Sequence, residues 1–400
     1  MNPSRTPADT RITRRQWIGG SAALLLGGCA TPSAAPAPLL APAADPRGLP
    51  AFPWLMRLAN VPGMAFAEVG GGRAETSAYG VRRAGTAGGV TEDTVFEAAS
   101  LSKPVFAYLV LELEREGVID LGRPAGEYLA LPNPDDARAR AITGRHLLSH
   151  SGGWRNWRFA REHLLTADFE PGSRFSYSGE GFAFLQRVVE GLTGRGLPAL
   201  ARERVFGPLG MASSSFVWHP ALEARLASPH TGRGDPLESH GVRTARAFRA
   251  LEAEWGRPLE EWMAADVERA FARVSPDQPP FPNFTVPNAA ASLSTTARDY
   301  GAFVRHLLTD GAPVLRRMME PQVRLNEALQ WGLGIGLEEM DGRTLFWHWG
   351  DNPGFKNFVV GDPAAGRATV VFTNGNSGRN VYERVIRDRT GTDHPAFLWI

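Results

Sequence analysis

The sequence predicts an α/β fold in which a sheet domain is interrupted by a helical one. Strand-like patterns gather near both ends of the chain, helix-like patterns fill the middle, and no repeat at solenoid periods is present. With 400 residues, 43% of them hydrophobic and 21% charged, the chain can bury a large core as one large domain or two.

Taken in order, Val61 to Val69 and Thr76 to Arg82 read as strands joined by a Gly70-Gly71-Gly72 turn, a hairpin. Thr94 to Glu97 reads as a short extended piece. Pro104 to Glu116 carries Val105, Tyr108, Leu109, Leu111 and Leu113 at helical spacing. Further helices are expected at 144–149, 181–193, 197–205 and 296–309. Residues 242–274 read as charged helix, with Pro258 at a first helical position and one apolar stripe of Leu259, Trp262, Met263, Val267, Phe271 and Val274. Pro276 to Pro287, rich in proline and holding two phenylalanines, reads as a long loop and a candidate wall of a cleft. Strands return at Trp331 to Glu338, Thr344 to His348, Lys356 to Gly361 and Ala368 to Thr373, and Asn380 to Asp388 closes as a helix.

Residues 1–28 do not read as fold. Arg11, Arg14 and Arg15 precede an apolar run from Trp17 to Leu26 that is too short to span a bilayer and has the size of a signal-peptide core. Thr13 to Ile18 looks like a twin-arginine export signal, and Leu26-Gly27-Gly28-Cys29 like a bacterial lipobox, with Cys29 the lipidated residue. Cys29 is the single cysteine, so an intrachain disulfide and a multi-thiolate zinc site are excluded. The Ala/Pro-rich stretch to Pro50 reads as a tether, at about 3.1 Å per extended residue long enough to hold a domain roughly 60 Å from a membrane. The expectation is a protein exported and lipid-anchored in the bacterial cell envelope on the periplasmic side, with a lipoprotein signal peptide at 1–28, a linker at 29–50 and the folded domain at 51–400. Within it, the α/β part is placed at about 51–115 and 290–400 and the helical part at about 116–289. The net charge of +1, from 43 basic and 42 acidic residues, gives no electrostatic case for nucleic acid.

The chemistry gathers at Phe96-Glu97-Ala98-Ala99-Ser100-Leu101-Ser102-Lys103-Pro104. Proline is tolerated only in the first turn of a helix, so a helix should begin near Ser100. Unpaired N–H groups and the positive end of the dipole there favour developing negative charge. Lys103, three residues on, shares the face of Ser100. Desolvation in a cleft would lower the lysine pKa and free a neutral amine to take the serine proton, and the Ser100 N–H would serve the oxyanion. Ser-x-x-Lys alone arises often by chance. Two further segments follow it: Phe175-Ser176-Tyr177-Ser178-Gly179-Glu180-Gly181, and Phe346-Trp347-His348-Trp349-Gly350-Asp351-Asn352-Pro353-Gly354-Phe355.

With these segments, and with His146-Leu147-Leu148-Ser149-His150-Ser151-Gly152-Gly153, Pro208 to Met211, Leu293 to Asp299 and Trp331 to Gly334, the chain resembles the serine β-lactamase and penicillin-binding family, in the branch of class C enzymes, D-amino peptidases and related esterases. The resemblance runs from about Phe52 to Arg387. It implies an α+β fold with a mainly antiparallel sheet flanked by helices. It also implies an acyl-enzyme on Ser100, with Lys103 and Tyr177 moving protons. His348, Gly350 and Asp351 would lie on a strand edge that binds substrate, the Asp351 N–H completing the oxyanion hole. Neither metal nor organic cofactor is implied. The partner is a small-molecule or peptide substrate.

Two positions depart from the family pattern. Gly179 replaces the asparagine that binds a substrate amide, and His348 replaces a permanently charged lysine, since histidine is largely neutral at pH 7. Both tilt the reading from β-lactams toward esters or D-amino acid amides and peptides. Glu180 reads as a solvated or salt-bridged glutamate. His146 and His150 have the spacing of helical zinc ligands but lack the glutamate and a third ligand. The competing reading is a catalytically idle lipoprotein that binds muropeptides or protein partners in the same cleft.

Overall fold

The structure, a computed structural model, describes residues 52–160, 162–277 and 280–400. The export signal, Cys29 and the tether fall outside the described residues. From the N-terminal side come α1 (Phe52–Leu58), the hairpin β1 (Gly63–Gly70) and β2 (Arg73–Gly80), the short β3 (Phe96–Glu97) and α2 (Ser102–Arg115). The middle is helical: α3 (Gly144–Leu148), α4 (Gly179–Thr193), α5 (Leu197–Ala201), α6 (Gly207–Leu209), α7 (His240–Trp255) and α8 (Ala264–Val274). Then follow β4 (Ser294–Thr295), α9 (Ala297–Leu308) and α10 (Ala312–Met318), and strands β5 (Val323–Arg324), β6 (Leu329–Trp331), β7 (Gly336–Met340), β8 (Arg343–Asn352), β9 (Phe355–Asp362) and β10 (Arg367–Thr373). The chain closes with α11 (Arg379–Thr390) and α12 (Pro395–Trp399).

The large sheet runs β2-β1-β10-β9-β8-β7-β6-β5, and every pairing in it is antiparallel. Its strands come only from residues near the two ends of the described chain, as the sequence pattern predicts. Side chains alternate across a strand, so each strand feeds two cores. Ala65, Ala67 and Val69 of β1 meet the core shared with α2, α4 and α9, while Met64 and Phe66 meet the one beneath α1, α11 and α12. A third, separate cluster joins Ala245, Phe248 and Leu251 of α7 to Val267 and Phe271 of α8 around Trp262. It forms a helical cap whose edge supplies one wall of the cleft described below.

Two expected elements are broken. Residues 242–274 are not one continuous helix: α7 stops at Trp255, where Gly256 turns left-handed (φ 62°), and Pro258 follows two residues later. Leu259 and Trp262 lie on a tight turn held by Leu259 N–H to Glu252 Oε1 (2.5 Å) and the Trp262 indole N–H to Arg257 O (3.0 Å). α8 then starts at Ala264, with Asp266 accepting from Met263 N–H (3.0 Å), so the apolar stripe spans a turn and a helix. Trp331 to Glu338 is likewise two strands. The turn between them sends Leu333 N–H to Met318 O (2.8 Å) and Gly334 N–H to Leu148 O (3.0 Å), contacts that no local pattern encodes.

Candidate active site

Residues Ala99–Leu101 form a 3-10 turn that runs into α2, and Pro104 sits in the first turn of that helix as predicted. Ala99 has φ of 51°, a conformation that a residue with a side chain adopts only when its surroundings impose it. They do so here. Ser102 Oγ donates to Ala99 O (2.6 Å) and accepts from Leu293 N–H (2.9 Å), Ala98 N–H donates to Leu293 O (2.7 Å), and Tyr300 Oη donates to Leu101 O (3.0 Å). The Ser100 turn is thus clamped to the 288–294 segment and to α9.

Lys103 is 1% exposed, and its Nζ lies 3.1 Å from Ser100 Oγ and 2.7 Å from Ala290 O. The amine also sits over the rings of Tyr177 (4.7 Å) and Phe182 (5.4 Å), and among the described residues it has no carboxylate partner. Burial without a counter-charge pushes its pKa well below that of an ordinary lysine. Tyr177 enters from the segment just before α4, whose first turn is capped by Ser178. Its hydroxyl is buried near Ser100 without a hydrogen bond of normal geometry, and burial raises its pKa, so it stays a neutral phenol.

A buried imidazole holds this tyrosine. His150 stacks on the Tyr177 ring at 4.2 Å, its Nδ1 accepts from Ser178 N–H (3.0 Å), and its carbonyl accepts from Ser176 N–H (2.8 Å). A ring nitrogen that accepts a backbone N–H must be unprotonated. Burial, together with the positive field of Lys103, keeps His150 far below its usual pKa. His146 points elsewhere and caps α3, accepting from Thr143 N–H (3.2 Å), so the two histidines do not converge as metal ligands.

The third segment lies on β8, which outruns β7. The β7 pairing ends at Trp347, so from His348 onward that edge of β8 meets the Ser100 turn instead of a strand. Trp349 and Asp351 line the cleft with Ser100. The other two expected substrate contacts are displaced. His348 is fully buried, with Nδ1 2.7 Å from Trp349 O, and burial ahead of the Lys103 charge lowers its pKa to about 3. It does not line the cleft but packs beneath its surface, 5.4 Å from the Trp331 ring and 6.4 Å from that of Tyr177. Gly350 serves close approach: a Cβ there would lie 2.4 Å from Ala98 O.

The cleft holds about 730 Å³. A second cavity of about 480 Å³, at the other end of the sheet around Arg73, Arg343 and Arg367, contains none of these residues. Thr285 and Val286 line the cleft, which makes the proline-rich loop the wall expected of it, and His240 and Val242 line it from the cap. Three carboxylates reach it: Glu97, Glu238 and Asp351. Its basic side chains are Lys103, His240 and Arg243, the last 3.4 Å from Glu238. Asp351 is paired with Lys356.

Sequence reasoning missed several of these groups. The Ala290 carbonyl has no side-chain signal at all. His150 lay in a quoted segment but was weighed only as a metal ligand. Glu97, three residues before the nucleophile, accepts from Ser239 Oγ at the start of the cap and from Asn352 Nδ2 (3.1 Å). Burial raises its pKa. A carboxyl whose folded pKa lies above its unfolded value of about 4.3 weakens the fold as pH rises through that interval. The melting temperature of Glu97→Gln relative to the unaltered chain is therefore expected to climb as the buffer moves from about pH 4 to about pH 8. A difference that stays flat across the series would count against a raised Glu97.

The family model described as Beta-lactamase matches residues 55–390. Penicillin-binding protein 4 of Amycolatopsis lactamdurans is 30% identical over 353 residues, covering 83% of this chain and 86% of that protein. Esterase EstB of Burkholderia gladioli is 31% identical over 304 residues, covering 68% and 69%. Among solved structures, a class C beta lactamase from Rhodobacter sphaeroides superposes with a TM-score of 0.65 at 18% identity, covering 85% of this chain and 97% of that one.

Proposed function

The chain belongs to the β-lactamase family of serine hydrolases, and we propose that within it this protein hydrolyses carboxylic esters through an acyl-enzyme on Ser100. One observation carries the reading: a buried amine with a strongly depressed pKa, 3.1 Å from a serine oxygen that opens into a cleft. In the proposed sequence neutral Lys103 takes the Ser100 proton as Oγ attacks the ester carbonyl. The N–H groups of Ser100 and Asp351 receive the oxyanion. Tyr177, a neutral phenol, relays a proton to the departing alkoxide, and water then releases the acid from Ser100.

Esters are preferred over β-lactams and carboxypeptidase substrates for an electrostatic reason. Those substrates present a carboxylate, and the family's permanent cation is replaced here by His348, buried and neutral. Among the described residues, the cleft's arginine, Arg243, faces Glu238, and the lysine beside the cleft, Lys356, is paired with Asp351. The esterase relative supports the same direction.

The test is a panel of p-nitrophenyl esters, cephalosporins and D-alanyl peptides, run beside a fluorophosphonate probe read by mass spectrometry. Ester turnover with covalent mass on the Ser100 peptide is expected. Preferred turnover of the peptides would make the protein a peptidase instead, and the absence of both mass and turnover would leave the idle binding protein.

The proposal includes a lipid anchor at Cys29 on the periplasmic side of a bacterial envelope membrane, supported by the arginine pair, the apolar run and the lipobox-like Leu26 to Cys29. Cys29→Ser is expected to move the protein from the membrane to the soluble fraction and to abolish labelling with a fatty-acid analogue. Retention of the label in that variant would rule the site out.

A further inference from the structure

Gly179 stands where the family pattern has an asparagine, and the packing around it gives a steric reason. A Cβ on residue 179 would fall 2.1 Å from Cζ2 and 2.2 Å from Cη2 of Trp157. Only a bare backbone lets the indole occupy that place. The indole is also firmly held, because the strap 155–158 is stitched to the first turn of α4. Ser178 Oγ donates to Arg155 O (3.0 Å), and the N–H groups of Gly179 and Glu180 donate to Asn156 O at 3.1 and 3.0 Å. Gly179 N–H also reaches Asn156 Oδ1 (2.8 Å), and Gly181 N–H reaches Ser178 Oγ (3.0 Å).

Glu180 completes the stitching. It is 2% exposed and accepts from Arg158 three times: the backbone N–H (3.0 Å), Nε (3.0 Å) and Nη2 (2.9 Å). It is therefore the salt-bridged glutamate of the sequence expectation, spent on fixing the residue next to Trp157. The three N–H groups at 179, 180 and 181, which a helix start would otherwise offer to a ligand, are all occupied. Trp157 lines the same cleft as Ser100, Tyr177, Trp349, Phe216 and Trp218. The second motif has thus exchanged an amide for an aromatic wall.

We infer that Trp157, seated on Gly179, determines acyl-group specificity and selects a flat apolar acyl group, such as an arylacetyl group, over a polar peptidyl one. The inference rests on the reading that Ser100 is acylated. A peptide bond brought against an indole face leaves its polar groups without partners, whereas an aromatic acyl group stacks there.

The experiment compares kcat/KM for p-nitrophenyl phenylacetate and p-nitrophenyl acetate in the full-length chain and in Trp157→Ala, Trp157→Phe, Gly179→Ala and the double Trp157→Ala/Gly179→Ala. Trp157→Ala is expected to lose about tenfold more on the phenylacetate than on the acetate, chiefly through KM, the size of one aromatic stacking contact. Trp157→Phe should keep most of the preference, and it decides the matter should the alanine variant not fold. Gly179→Ala must push the indole aside, so it should reproduce Trp157→Ala, and the double variant should be no worse than either single one. Equal losses on both esters, or additive losses from the two sites, overturn the inference. Fluorophosphonate labelling in parallel separates the two levels. An unaltered chain with neither label nor turnover overturns the hydrolase reading and this inference with it, whereas a labelled chain without the selective loss overturns the subsite alone.

Discussion

Lys103→Met is expected to slow acylation of Ser100 by about 10²–10⁴-fold, the range for loss of a positioned proton-transfer group, while the fold persists. The amine proposed to take the proton is the same one that burial makes costly to charge. Unfolded, it titrates near pH 10.4; folded, it releases its proton well below that. The folded state therefore binds fewer protons than the unfolded state between those two values, and stability rises with pH across that window. Two readouts follow. Acylation of the unaltered chain should rise with pH through the depressed amine pKa. Lys103→Met should match or exceed it in melting temperature near pH 7, an advantage that fades toward about pH 10. The methionine leaves the Ala290 carbonyl without its 2.7 Å donor, which sets a limit on that gain of about 1–3 kcal/mol. Pre-steady-state burst kinetics and thermal unfolding across pH measure both, and a burst of normal rate in Lys103→Met would remove the amine from the mechanism.

Tyr177→Phe is expected to lower kcat by about 10²–10³-fold with a smaller change in KM. The substitution deletes a single hydroxyl that makes no protein hydrogen bond of normal geometry, so the packing of the ring on His150 and Trp349 survives. A buried polar group without a partner costs free energy, so the phenylalanine should be neutral or stabilising. This pairing of a large catalytic loss with unchanged or raised stability separates a proton-carrying tyrosine from a structural one. The raised pKa adds a condition: a phenol that remains protonated should leave no basic limb attributable to Tyr177 in the pH–rate profile. Retention of kcat within about threefold would show that the hydroxyl carries no proton in the slow step.

Much of the site was legible because its chemistry is local. Ser100 and Lys103 are three residues apart, and the helical period alone puts them on one face; Pro104 announces where that helix can begin. The hairpin β1–β2 could be read from two strand-like runs around a Gly70-Gly71-Gly72 turn, and the closing strands from short apolar runs. Tyr177 was reached through motif resemblance, and the order of the three segments along the chain identified them jointly. The start of the second helix was placed at Pro258 and not at Ala264, because the apolar stripe runs across the turn between them. Helical spacing in the sequence carries no mark of a turn whose hydrogen bonds come from Glu252 and Arg257.

The sequence by itself therefore determined the class of the fold, from the distribution of strand and helix patterns along the chain, and the helical period put the predicted nucleophile Ser100 and Lys103 on one face. Tertiary structure alone decided that the lysine is desolvated, that His348 is buried and does not line the cleft, and that Trp157 fills the space a Cβ at residue 179 would need. Each of these depends on which atoms approach from distant stretches of chain: Ala290 O onto Lys103 from 187 residues away, Asn156 onto the start of α4, the Ala98 carbonyl against β8. A residue's period states which way it points, but its pKa and its reach are set by what the fold packs against it.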